Sequence, residues 1–101
     1  MHIISRGPID DFGKKHPPAA IPLNEWWQRM KKAKPQNLNE LKEIFGACDL
    51  IENDRCVFNI GGNNYRLVAI IRYKIQRVFV RAVLTHSEYD RHNDRGTLSS
   101  L

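Results

Sequence analysis

The sequence predicts one α+β domain in which helices fill the first half and an antiparallel sheet meander fills the second. Two observations carry this prediction. Apolar residues recur at three- and four-residue intervals up to about Phe45, then at every second position from Cys56 onward. Helices grouped before strands, rather than alternating with them, point to a segregated α+β layout and not to a parallel βαβ sheet.

Residues 2–5 (His-Ile-Ile-Ser) read as a short opening strand. Arg6-Gly7-Pro8 breaks it, and Pro8 suits the first turn of a short helix through His16, with Ile9 and Phe12 on one face. Pro17-Pro18 ends that helix, because proline lacks an amide donor and restricts the residue before it. A second helix, from Ala19 or Pro22 to Lys34, carries the apolar stripe Leu23, Trp26, Trp27, Met30 and Ala33. Helical spacing favours Trp26 as core and leaves Trp27 open between the core and an aromatic platform for bases. Arg29, Lys31, Lys32 and Lys34 crowd the C-terminal end of this helix, where cations complement its dipole, and Pro35 stops it. A short helix or helical turn follows over 39–45, with Leu38, Leu41, Ile44 and Phe45 inward, Asn37 or Asn39 as cap and Gly46 as stop.

From there the period is two. Asp49–Ile51 opens a strand, and Cys56–Ile60 forms a clearer one. Gly61-Gly62 signals a hairpin, since glycine takes up the positive φ that tight hairpins need. Tyr65–Lys74 forms a long strand, and Arg77–Thr85 returns antiparallel to it.

Alternation sorts these two long strands into faces. Tyr65, Leu67, Ala69, Ile71 and Tyr73 share a face without charge, as do Val78, Val80, Ala82 and Leu84. Both sets are assigned to the core, because the reverse choice would bury arginines without partners. The outer face then carries Arg66, Arg72, Arg77 and Arg81, with Asn59 from the preceding strand and Val68, Ile70, Phe79 and Val83 between the charges. Guanidinium groups grip phosphate oxygens in a fork, so an apolar floor ringed by arginines suits bases and phosphates. The excess of 16 Lys and Arg over 11 Asp and Glu, a net charge of +5, fits a polyanionic partner.

Several classes are disfavoured. No apolar run approaches the roughly 20 residues of a membrane span, and Met1–Pro8 lacks a secretory signal, so a cytoplasmic protein without a membrane partner is expected. Cys48 and Cys56 fit no zinc spacing and His2, His16, His86 and His92 stand singly, so neither a metal nor another cofactor is expected.

The last strand runs into Thr85-His86-Ser87-Glu88-Tyr89-Asp90. Cleaving RNA without a metal requires activation of the 2′-hydroxyl, neutralisation of the phosphate and protonation of the leaving 5′-oxygen. Histidine or tyrosine beside arginines meets these needs. Strict alternation turns His86 toward the core, so it reaches the basic face only if the chain twists at the strand end.

The stretches Val57–Leu67 and Val80–Asp90 resemble the "FNxGGNxYRL" and "RxVxTHxEYD" signatures of the HigB toxin family, part of the RelE-like superfamily. The resemblance covers residues 1–92 as one domain, and 93–101, which match no motif, read as a mobile tail. It implies a RelE-like fold: a short strand, two helices, the meander and a short terminal helical turn. It also implies a toxin of a type II toxin–antitoxin system that cleaves translated mRNA on the ribosome. The implied partners are mRNA, rRNA and a HigA-type helix-turn-helix antitoxin. The matching positions are Asn63, Arg66, Arg81, His86, Glu88, Tyr89 and Asp90. By this resemblance Arg66 and Arg81 hold the scissile phosphate, His86 or Tyr89 moves protons, and Glu88 and Asp90 cap or orient the last turn. Asn63 joins the RNA contacts, with Arg72, Lys74, Arg77 and the lysines of the second helix on the RNA backbone. The alternative is a non-catalytic RNA- or ribosome-binding module on the same face.

Overall fold

In the computed structural model, which describes residues 1–51 and 54–101, strand β1 (His2–Ile4) leads into helix α1 (Gly7–Lys15). Pro8 sits in the first turn of α1, and Ile9 and Phe12 are its buried residues. A 3-10 turn at Pro17–Ala19 runs straight into α2 (Ala20–Lys32), so the two prolines re-aim the chain at a helix boundary. Leu23, Trp26 and Met30 form the buried stripe of α2. Trp27 is only partly buried and lies under the Arg6 guanidinium, 4.5 Å from its ring centre. Helix α3 (Leu38–Ile44) is capped by the Asn37 side chain, which accepts from the Glu40 amide.

Four antiparallel strands follow: β2 (Cys48–Ile51), β3 (Arg55–Ile60), β4 (Tyr65–Arg72) and β5 (Arg77–Thr85). The sheet order is β1-β5-β4-β3-β2, and β1 lies parallel to β5 with Ile3 opposite Val78. The meander is thus completed into a mixed sheet by a strand from the other end of the sequence. Helix α4 (His86–Arg95) leaves β5 directly.

One sheet face carries the main core. Phe58 is packed edge-on by Trp26 and Phe45, at 5.5 and 5.2 Å between ring centres, and Leu67, Ala69, Ile71, Val78 and Val80 continue that layer. Cys48 and Cys56 are buried free thiols. Burial pushes the Cys56 thiol up to about 11, which keeps it protonated and unreactive.

The face assignment holds for β4 but only for half of β5. Val68 pairs with Ala82 and Ala69 with Val80, leaving Arg81 as an extra residue in a β-bulge. Beyond the bulge the parity of β5 inverts. Val83 joins the main core, while Ala82 and Leu84 turn to the outer face, where Leu84 pairs with Arg66. There Val57, Val68 and Leu84 form a second, smaller buried cluster packed by Ile51, Ala82, Tyr89 and Leu101. The apolar floor expected to lie open is therefore roofed.

That roof comes from α4 and the residues after it. The boundary expected after residue 92 falls inside α4, and the expected terminal turn is a ten-residue helix closed at Gly96. The Thr97 amide donates to the His92 carbonyl, a 3-10 turn spans Leu98–Ser100, and Leu98 is buried. Residues 97–101, read from sequence as a mobile tail, are thus placed against the sheet.

Candidate active site

The β3–β4 hairpin sets one end of the outer face. Gly61 and Gly62 take φ of +61° and +69°, and the loop Gly61–Asn64 returns the chain so that Ile60 pairs with Tyr65. A side chain at Gly61 would also meet the Tyr65 ring and Pro22. The tight loop aims main-chain carbonyls back at β4. The Arg66 guanidinium donates to the Asn63 carbonyl at 3.0 Å and to the Tyr65 carbonyl at 3.1 Å. It also lies 5.4 Å from the centre of the Tyr89 ring. Arg66 is buried, yet its charge is solvated by carbonyl dipoles and an aromatic face, which is how an arginine is tolerated inside a fold. Asn63 is exposed in the loop, and its side-chain oxygen accepts from the side-chain Nδ2 of Asn59 at 3.2 Å.

Helix α4 begins at the same end. Thr85 and Glu88 form a reciprocal capping box. The Thr85 hydroxyl accepts from the Glu88 amide, and the Glu88 carboxylate accepts from the Thr85 amide. These bonds, chiefly the one from the Thr85 main chain, hold the Glu88 carboxyl below its ordinary value of 4.5, against an opposing push from burial.

Sequence alternation pointed His86 to the core. Instead β5 ends at Thr85, and His86 is the first residue of α4, exposed, with its amide donating to the Asn64 carbonyl at 3.2 Å. The change from strand to helix replaces the twist the sequence reading required. The His86 Nδ1 lies 2.9 Å from an Asp90 carboxylate oxygen, one helical turn on. Asp90 thus orients this imidazole, and Glu88 caps the helix.

The structure therefore brings Asn63, Arg66, His86 and Tyr89 to the hairpin end. Arg81 stands apart, exposed at the bulge, where its Nε donates to the Leu101 main-chain oxygen at 3.1 Å. Arg72, Lys74 and Arg77 lie at the opposite end, six residues along β4 from Arg66, or about 20 Å at strand rise. There Arg72 is paired with Asp54 at 3.0 Å, both side chains well exposed.

Sequence reasoning missed Arg55 and Asp54. Arg55 opens β3, opposite Ile70, and its Nε donates to the same Leu101 oxygen at 2.9 Å. Beginning that strand one residue earlier would have placed Arg55 on the outer face with Val57 and Asn59. Among the described residues no three His, Cys, Asp or Glu side chains converge as a ligand set for a metal ion, and no helix is long and apolar enough to cross a membrane.

Residues 19–92 match the family model described as HigB_toxin, the RelE-like toxic component of a toxin-antitoxin system. The chain belongs to this family. It is 32% identical over 93 residues to the mRNA interferase HigB of Escherichia coli O6:H1, covering 90% of each protein. It is also 32% identical over 92 residues to the mRNA interferase toxin HigB of Escherichia coli K12, covering 89% of this chain and 88% of that relative. As a HigB-family toxin, it has an antitoxin as its partner. The family match spans α2 to β5 and most of α4, including the elements that build the hairpin end.

Proposed function

We propose that this HigB-family toxin is an endoribonuclease that cuts mRNA during translation on the ribosome, without a metal ion. The observation that carries this reading is the hairpin end itself. A buried arginine is fixed between two carbonyls and a tyrosine ring, beside a histidine–aspartate pair at a helix start.

Arg66 neutralises the scissile phosphate as negative charge builds on it, and Arg81, expected from the sequence to share that task, holds a neighbouring phosphate from its place at the bulge. Tyr89, stacked on Arg66, and His86, oriented by Asp90, are the groups able to take the 2′-hydroxyl proton and return one to the leaving 5′-oxygen. Asn63 contacts the RNA beside them. Arg72, Lys74, Arg77 and the cations ending α2 hold RNA backbone away from the cut, either mRNA or rRNA. The antitoxin is of the HigA helix-turn-helix type, and the toxin works in the cytoplasm, where translated mRNA is found.

Expression without the antitoxin tests this reading. Growth arrest with new 5′ ends in translated messages is expected, and Arg66→Ala, His86→Ala or Tyr89→Ala should relieve it. Relief by none of the three removes this site. Arrest without new RNA ends would identify a ribosome-binding module instead.

A further inference from the structure

Two cationic side chains that sequence motifs did not connect meet at one point. Arg55 from β3 and Arg81 from β5 reach across the intervening β4, and each donates its Nε–H to the same oxygen, that of Leu101, at 2.9 and 3.1 Å. Two guanidinium donors converging on one oxygen is the arrangement that grips a phosphate oxygen. Alternation alone puts Arg81 on this outer face, and the bulge there turns Ala82 and Leu84 to the same side.

The segment delivering that oxygen also covers the floor of the site. Leu101 packs with Tyr89 against Val57, Val68 and Leu84, the apolar patch lying between the arginine pair and Arg66. What holds the segment is modest. Thr97 is hooked to His92 through main chain and side chain, Leu98 is buried, and a single 3-10 turn completes it. No sheet element pairs with it among the described residues.

We propose that Arg55 and Arg81 form a binding site for a backbone phosphate of single-stranded RNA, and that residues 97–101 fill this site until RNA displaces them. The inference rests on the interferase reading for its choice of ligand. Displacement does two things at once. It releases the Leu101 oxygen from the Nε–H donors of Arg55 and Arg81, and it opens the Val57–Val68–Leu84 floor to a base beside Tyr89. Arg55 thereby becomes a positioning residue for the RNA strand rather than one that touches the reacting atoms.

The test measures binding of a fluorescent 2′-O-methyl oligoribonucleotide, which lacks the attacking hydroxyl and is not cut, across a salt series. Arg55→Gln in the full chain should weaken binding about tenfold, the worth of a charge-assisted hydrogen bond. It should also flatten the salt slope by about 0.7. Leu98→Ser/Leu101→Ser, and separately a chain ended after Gly96, should bind about three- to tenfold more tightly, as expected when a weak internal competitor is removed. Circular dichroism melts of each variant show that folding is intact. In hydrogen exchange, the amides of 97–101 should lose protection when the oligonucleotide is added. Binding that is unchanged by Arg55→Gln, or unchanged or weakened by both strap variants, overturns the proposal, as does absence of binding by every form. Cleavage of translated mRNA is scored separately. Intact cleavage with Arg55-independent binding defeats this inference alone, whereas strap-dependent binding without any cleavage defeats only the interferase reading.

Discussion

At the hairpin end of the outer sheet face Arg66 is buried, bonded to two carbonyls and stacked on Tyr89. At the other end Arg72 and Arg77 pair across β4 and β5 in solvent, and Arg72 is matched by an exposed Asp54. Both ends show the same sequence signal, arginines alternating with apolar residues on strands. They differ in what surrounds the charge. The buried arginine is held in one orientation by two carbonyls of the hairpin and a ring of α4. The exposed ones keep rotamer freedom and lose most of their Coulomb attraction to water and salt. A preorganised cation stabilises a transition state without rearranging, while a solvated one contributes mainly attraction for the polyanion. In the proposed function this difference places chemistry at one end and strand holding at the other.

This contrast breaks most directly at its strong end. Arg66→Lys should lower cleavage of translated message by about 10²- to 10³-fold, the scale of losing one fixed oxyanion donor. Primer-extension counts of new 5′ ends measure it, and a loss below threefold would dissolve the contrast. A smaller effect is expected one layer down. Thr85→Ala removes the cap of α4 and should cost about 1 kcal/mol in a urea melt, because the Glu88 amide loses its acceptor. Relief of growth arrest should be partial, since His86 and Tyr89 remain but their helix frays.

Glu88 sharpens the same point through pH. Its carboxyl is depressed in the folded state, so its contribution is fully present above the ordinary value of 4.5 and is lost as pH falls through the lower folded value. Thermal melts from about pH 6 down to about pH 3 should show the wild type losing more stability than Glu88→Gln, with the variant already weaker at neutral pH. Parallel curves would mean that the cap does not act through this carboxylate. The smallest effect belongs to the solvated end. Arg72→Gln with Arg77→Gln should change cleavage less than about threefold at low salt and flatten the salt dependence of RNA binding by about 0.7 per lost phosphate contact. A hundredfold loss there would reverse the assignment of the two ends.

Period and punctuation made much of this molecule legible before folding. The stripe Leu23, Trp26, Met30 could bury only as a helix, and the faces of β4 read correctly over Tyr65–Arg72, although the expected strand ran two residues further, to Lys74, into what is a turn. The reading failed where one residue broke the count. Arg81 bulges from β5, so Ala82, Val83 and Leu84 each face the side opposite to the one alternation gives. A bulge leaves no composition signal, because its cause is the pairing of two distant strands. The same limit hid the parallel docking of β1 on β5 and the Arg55–Arg81 pair. Residues 93–101 read as a tail because they match no motif, yet Leu98 and Leu101 within them find apolar surface that only the fold supplies.

By itself, then, the sequence determined the elements, the core face of β4 and the two motifs that mark the family, since these depend on local periodicity and short-range spacing. Tertiary structure alone decided which arginines lie together. A guanidinium's partners are carbonyls, rings and cations brought from other strands, and no spacing along one chain segment encodes how those strands are set against each other.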